Sequence, residues 1–445
     1  MSPKAPDIAV LQGRPPGAPV ILDTDGPVSV RQFLDRVALV GARLPVGGPL
    51  INLCEHRVSF LVAYAAALAA GRTTLLPASR APEAVAWVRE SQPASSVVDD
   101  RMVAQWLSGR SGAAPNAAVA IDPELIAMIG YTSGSTGTPS GHPKRWGTVV
   151  QSTMRNADAI RAAIRTELRN MLPWIVGTVP SQHMYGMELT VLLPLLGSMG
   201  IHAARPLLPM DVAAALASTA EPRVLVSTPA HLRAIVASGV PLPTVAVTVS
   251  ATAPLEAELA QAVERATGGV LLEMFGATET CILAHRRTAT EPQWTPYRGV
   301  RFSAEGTTTR VETPWFPRPE YLQDTLEIAG DGRFALVGRN ADLVDVAGKR
   351  VSLADLTLRL LRVPGVLDGV IFQPDEGTGL VRRLAALVVA PGLTPEQIRS
   401  QLAPAIDPVF MPRPLVLVPA LPRTDAGKLP RAALHAGLAA ALDAG

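Results

Sequence analysis

Tyr131-Thr132-Ser133-Gly134-Ser135-Thr136-Gly137-Thr138-Pro139 is the segment best furnished for chemistry. It follows a β-like run, Leu125 to Tyr131. Its glycines let the backbone turn tightly and approach a ligand. Its hydroxyls and successive backbone N–H groups suit phosphate oxygens, and a strand–loop–helix setting favours anions. Lys144 follows and would bring a positive charge to those oxygens. The spacing is not Gly-x-x-x-x-Gly-Lys-Ser/Thr, so this is not the common nucleotide P-loop. A flexible Ser/Gly surface loop is the bland alternative.

Other segments carry weaker signals. In Pro180-Ser181-Gln182-His183-Met184-Tyr185-Gly186-Met187-Glu188, His183 can hydrogen-bond a carboxylate or stack near one, although a lone histidine is often structural. Ser250-Ala251-Thr252-Ala253-Pro254 and Glu273-Met274-Phe275-Gly276-Ala277-Thr278-Glu279-Thr280 each follow a β-like run. Both also read as ordinary strand-to-helix turns. Asp324 precedes Gly338-Arg339, and a buried carboxylate there would accept two hydroxyls. Pro422 to Arg431 sets Lys428 on a Gly-Lys turn, which alone is commonly a solvated loop.

Taken together and in this order, the segments resemble the adenylate-forming superfamily. That group holds acyl-CoA synthetases, luciferases, peptide-synthetase adenylation domains and acyl-AMP ligases. TSGSTGTP is similar to its phosphate-binding loop. The superfamily continues Pro-Lys-Gly, whereas Ser140 stands here and the lysine comes late, as Lys144 in GHPKRWG. The delayed lysine followed by Trp146 resembles stand-alone AMP-ligases of aryl-polyene and xanthomonadin-type pigment clusters.

The resemblance implies roles. Thr132, Ser133, Gly134, Ser135, Thr136, Gly137 and Lys144 would hold phosphates. His183, Tyr185, Gly186, Ser250, Ala251, Thr252, Met274 and Thr280 would border the acyl pocket. Phe275 would meet the adenine, Gly276 the ATP, Thr278 the α-phosphate, and Glu279 a Mg²⁺ ion. Asp324 would bind the ribose hydroxyls and Arg339 the ribose or phosphate. The usual Thr-Gly-Asp is Leu322-Gln323-Asp324 here, and the hinge falls on Ala341 or Asp342. Lys428 would neutralise charge as a carboxylate attacks the α-phosphate and pyrophosphate leaves. His183, Thr278, Glu279 and Lys428 form the implied catalytic set.

The implied activity is activation of a carboxylic acid, an aromatic one such as a hydroxybenzoate, by ATP and Mg²⁺. A phosphopantetheine thiol on an acyl carrier protein would then accept the acyl group. Alternatives are an acyl-CoA synthetase for an aryl or medium-chain acid, with CoA as acceptor, and a non-catalytic nucleotide-binding protein of the same fold.

Alternating elements must position these residues. Ser59 to Ala70 reads as a helix and Thr73 to Leu76 as a strand, with another helix from about Gly147 to Ile164. Strands at Arg223 to Ser227, Thr244 to Ser250 and Val270 to Phe275 alternate with helices at Pro229 to Ala237 and Leu255 to Ala266. This pattern predicts an α/β fold with mostly parallel sheet and ligands at the carboxyl ends of strands. Thr325 to Val337 reads as a hairpin around Gly330 to Gly332. Beyond it a small α+β module is expected, with a helix opened by Thr394-Pro395-Glu396-Gln397 and a strand at Arg413 to Val418. The expected division is a large N-terminal domain, 1–338, and a small mobile C-terminal domain, 339–445.

Composition narrows the class. With 445 residues, 48% hydrophobic and 18% charged, the chain suits a globular enzyme of more than one domain. A net charge of +2 without a basic block argues against a nucleic-acid partner. The two cysteines, Cys54 and Cys281, are far apart, which fits a reducing cytoplasm. No signal peptide is expected, because the N-terminus lacks a long apolar core, and no membrane span, because Pro194 and Gly197 interrupt the long apolar run.

Overall fold

A computed structural model describes residues 8–108, 120–132, 140–306, 308–339, 343–346, 349–374, 383–424 and 427–443. Its centre is a sheet of nine strands. In spatial order they are 295–296, 281–286, 270–277, 247–250, 223–227, 174–177, 200–202, 19–23 and 26–29. The six from 270–277 to 19–23 run parallel, and antiparallel strands flank them. Val- and Leu-rich sequences such as Val224-Leu225-Val226 suit strands buried on both faces.

Alternation sorts the two faces. Val226, Val249 and Leu272 enter the main core with helix Trp146–Ala163. Leu225 and Leu271 turn instead to helices Pro229–Ser238 and Ala257–Thr267. A second sheet of five strands has the order 96–98, 50–52, 74–76, 126–132 and 140–145. Its last pair is antiparallel and frames the phosphate-loop segment. Helix Arg57–Ala69 packs beneath it and is buried from Val58 to Leu68 apart from Ser59, as its apolar sequence requires.

Several boundaries differ from expectation. The strand read over Thr244 to Ser250 pairs only from Val247, and the helix read from Leu255 begins at Ala257. The strand Ser140–Arg145 was not expected at all. The hairpin comprises Asp324–Ile328 and Phe334–Arg339. After it, Asp368–Phe372, Ala385–Val389 and Leu415–Leu417 form a separate small sheet. Helix Pro395–Leu402 carries the expected capping box, with Thr394 and Gln397 bonded reciprocally. Two hydrophobic clusters draw only on residues from Val344 onward. Among the described residues, no helix is long and apolar enough to cross a membrane.

Candidate functional site

Strand Ile126–Thr132 leads to the segment expected to hold phosphates, and strand Ser140–Arg145 follows it. Thr132 and Ser140 are register partners at the loop's base. The Thr132 hydroxyl lies 3.0 Å from the Ser140 hydroxyl and 3.3 Å from His142 Nε2. Ser140 Oγ is 3.1 Å from the same nitrogen. Ser133, Gly134, Ser135, Thr136 and Gly137 lie outside the described residues.

His142 was missed in the sequence. Alternation along the strand puts it on the face of Ser140. Its Nε2 stands 3.8 Å from Glu279 Oε1. Burial lowers its pKa, against the pull of Glu279 in the other direction.

The turn carrying Thr278 and Glu279 joins strands Val270–Ala277 and Cys281–Arg286. Gly276 is needed there, since a Cβ would fall 2.2 Å from the Cys281 carbonyl oxygen. The Glu279 side chain is 41% exposed, so its carboxylate is open to solvent. Thr280 is not. It is 1% exposed, and its hydroxyl accepts from Ala277 N at 3.2 Å and donates to Cys281 O at 3.0 Å. The expected place in the acyl pocket is therefore corrected: Thr280 ties its own turn.

Lys144 is also placed differently. It is 6% exposed, and its ammonium donates to the backbone carbonyl of Glu279. The sequence reading had put that charge on phosphate oxygens.

Three segments converge on Gly130, a glycine the sequence reading passed over. A Cβ there would meet Met184 Sδ and Thr278 Cγ2, both at 3.2 Å. The strand before the phosphate loop, the His183 segment and the Thr278–Glu279 turn therefore meet at one point.

His183 precedes a short helical turn, Met184–Gly186, and is half-buried. Met184, Tyr185, Ala251 and Met274 share the main apolar cluster. The Tyr185 hydroxyl faces the carbonyls of Ser227 and Val249, each at 2.9 Å. It is thereby occupied with strand ends, and burial pushes its pKa well up. Gly186 packs against backbone, for a Cβ would lie 1.9 Å from the Pro180 carbonyl oxygen.

Ser250 requires a second correction. It lies in register between Ser227 and Glu273, two residues beyond Thr248, on the face covered by helices Pro229–Ser238 and Ala257–Thr267. Fully buried there, it faces away from Met184 and Tyr185. Thr252 has a left-handed backbone, φ 81°.

Phe275 is 7% exposed and packs on Trp294, Phe302 and Phe334, with centroids 5.4, 6.3 and 5.2 Å away. The ring expected against adenine is thus largely core. The Asp324 residue is 5% exposed and lies opposite Arg339 in the hairpin register. Thr309 Oγ1 donates to its backbone carbonyl at 2.7 Å. Ala341 and Asp342, the expected hinge, lie outside the described residues.

Lys428 is exposed on a turn closed by Thr424 N to Lys428 O at 2.8 Å and Gly427 N to Thr424 O at 2.8 Å. Arg423 holds this turn, donating to Gly427 O at 2.8 Å and to both Asp368 carboxylate oxygens at 2.8 and 2.7 Å. A Cβ on Gly427 would meet Thr228 Oγ1 at 3.3 Å. The lysine turn therefore touches the carboxyl edge of the central sheet.

Two further groups on that edge escaped notice. Arg57 is 3% exposed and donates to the carbonyls of Gly177, Val179, His202 and Ala204, joining two strand ends. His231 Nδ1 lies 3.0 Å from Thr178 Oγ1, itself 2.9 Å from Ser227 Oγ.

A sequence model of the AMP-binding enzyme family matches residues 11–314. The chain is 28% identical over 364 residues to isonitrile lipopeptide synthase of Mycobacterium tuberculosis, covering 70% of this chain but 14% of that much longer protein. It is 29% identical over 282 residues to 4-coumarate–CoA ligase of Rhodobacter capsulatus, covering 59% of this chain and 68% of that one. The fold is similar to that of o-succinylbenzoate CoA synthetase from Bacillus subtilis in complex with an acyl-adenylate intermediate. There the TM-score is 0.77 at 15% identity, over 95% of this chain and 96% of that one. With more than half of its length matched by the family model, the chain belongs to the AMP-binding enzymes.

Proposed function

We propose that the protein is an acid–thiol ligase that first activates a carboxylic acid with ATP. The observation that carries this reading is the meeting of three segments at Gly130, with the Glu279 carboxylate open to solvent on the turn that brings Thr278 there. A carboxylate oxygen of the acid attacks the α-phosphorus. The bond from that phosphorus to the bridging oxygen breaks, and pyrophosphate leaves with the electron pair. No protein nucleophile is required, so catalysis is positioning and charge neutralisation.

Glu279 suits a magnesium ion, which takes oxygen ligands and commonly rests on one or two carboxylates beside substrate phosphates. Among the described residues, no three of His, Cys, Asp and Glu gather into a complete metal site. A hard cation here would lean on Glu279 and on the nucleotide, where it would offset phosphate charge. Thr132, Ser140 and His142 would present hydroxyl and imidazole groups at the base of the phosphate loop. Thr278 would face the α-phosphate, Asp324 the ribose, and Lys428, on the segment 339–445, the departing charge. His183 would orient the acid.

In the second step a thiol attacks the acyl carbonyl and AMP leaves. We assign the thiol to a phosphopantetheine arm on an acyl carrier protein and the acid to the aromatic class. That Met184, Tyr185, Ala251 and Met274 all join the main apolar cluster supports an apolar acid. Likeness to a CoA ligase supports the second reading, in which coenzyme A is the acceptor. Incubation with Mg-ATP, benzoate-type acids and either CoA or a holo carrier protein, read by mass spectrometry, tests both. The expected product is a carrier-bound thioester. A thioester on CoA alone selects the second reading, and none on either acceptor contradicts both.

A further inference from the structure

Two charged side chains lie buried beneath the Ala277–Cys281 turn, and each holds a different part of it. Lys144, 6% exposed, comes from the strand leaving the phosphate loop and donates to the Glu279 carbonyl. Glu188, 2% exposed, comes from the π-helical turn Met187–Leu192 that follows the His183 segment. Its Oε2 accepts from Ile282 N at 3.1 Å, Ser152 Oγ at 2.9 Å and Asn156 Nδ2 at 3.3 Å. Asn156 in turn accepts from the Tyr297 hydroxyl at 2.8 Å.

One charge thus fixes the turn at Glu279 and the other fixes its exit at Ile282. Burial raises the Glu188 pKa, against the bonds from Ile282, Ser152 and Asn156 and, least, the charge of Lys144. A π-turn is a local irregularity that gathers at functional sites. Here it carries the acid that reaches Ile282.

We propose that Lys144 and Glu188 are positioning residues: a buried brace that locks the Thr278–Glu279 turn to the phosphate-loop strand and the acyl-pocket helix. Lys144 then acts through the Glu279 backbone rather than on a phosphate. Glu279 is thereby held where its carboxylate can take a divalent cation. This inference rests on the Mg-ATP reading above.

Equilibrium binding of a fluorescent ATP analogue, with Mg²⁺ and with EDTA, separates the cases without recourse to turnover. In the wild type, Mg²⁺ should tighten binding. Lys144→Met and Glu188→Gln should each cut that Mg²⁺-dependent gain by at least about fivefold and leave metal-free binding within about twofold. Lys144→Met leaves Glu188 its three donors, and the double variant leaves neither charge buried. The double variant should therefore fold and show the same lost gain. If Lys144→Met weakens metal-free ATP binding as much as Mg-ATP binding, the lysine touches phosphate and the brace is wrong. A Mg²⁺-dependent gain that survives in the double variant also overturns it. A wild type that binds no ATP under either condition overturns the functional reading itself.

Discussion

The ammonium of Lys144 donates to the backbone carbonyl of Glu279, so the lysine displaced from the phosphate loop supports the turn bearing the metal-binding candidate. Ser140 stands where the superfamily has its loop lysine, and it pairs with Thr132 and His142 instead. The described base of the loop is therefore polar, and the nearby cation, Lys144, is buried.

Lys428 is exposed on its turn, so Lys428→Ala should leave stability within about 0.5 kcal/mol. Adenylation should fall on the order of 10²- to 10³-fold, as when one charge-stabilising group is removed. Urea unfolding beside acyl-AMP formation checks both halves.

Gly186→Ala should destabilise the fold by about 1–3 kcal/mol, because backbone must shift to admit the methyl group. The obstacle is the Pro180 carbonyl, 1.9 Å from the ideal Cβ. Since the same turn carries His183 and Tyr185, the KM for the acid should rise more than that for ATP. Equal changes in both would contradict a local effect.

Tyr185→Phe should cost about 1–2 kcal/mol, since the one hydroxyl proton shared between two carbonyls is lost. The preference among acids should stay unchanged, because the hydroxyl is occupied by the strand ends. A changed ranking of acids would show that the hydroxyl reaches the substrate.

Acid should destabilise the protein through buried histidines. Burial, Arg205 and Arg423 together lower the His231 pKa, and burial first of all lowers those of His202 and His285. Below their unfolded value of about 6.5 the unfolded chain binds protons that the native chain does not. This stability is thus complete above about pH 6.5 and lost as pH falls through the depressed native values. Each histidine contributes a slope of at most about 1.4 kcal/mol per pH unit. His231→Gln should lower proton uptake on unfolding, measured from urea midpoints between pH 7 and pH 5. An unchanged slope would contradict a neutral buried His231.

Much of the architecture was legible because strands such as Arg223–Ser227 are short apolar runs with turn residues after them. The candidate segments fall at strand ends for the same reason. Strand Ser140–Arg145 was not legible: Ser-Gly-His-Pro-Lys-Arg has little β preference, and pairing with Ile126–Thr132 imposes its form. Missing that strand hid His142 and sent Lys144 to the phosphates. Ser250 failed for another reason. Strand alternation decides its face, and one residue exchanges pocket for helix layer. Gly130 gave no local signal, since its role lies in what approaches it.

ATP–pyrophosphate exchange over a panel of aromatic and aliphatic acids tests the central claim most directly. With Mg²⁺, at least one acid should drive exchange, and EDTA or Lys428→Ala should suppress it. No exchange with any acid in the wild type would contradict acid activation as the chemistry of this site.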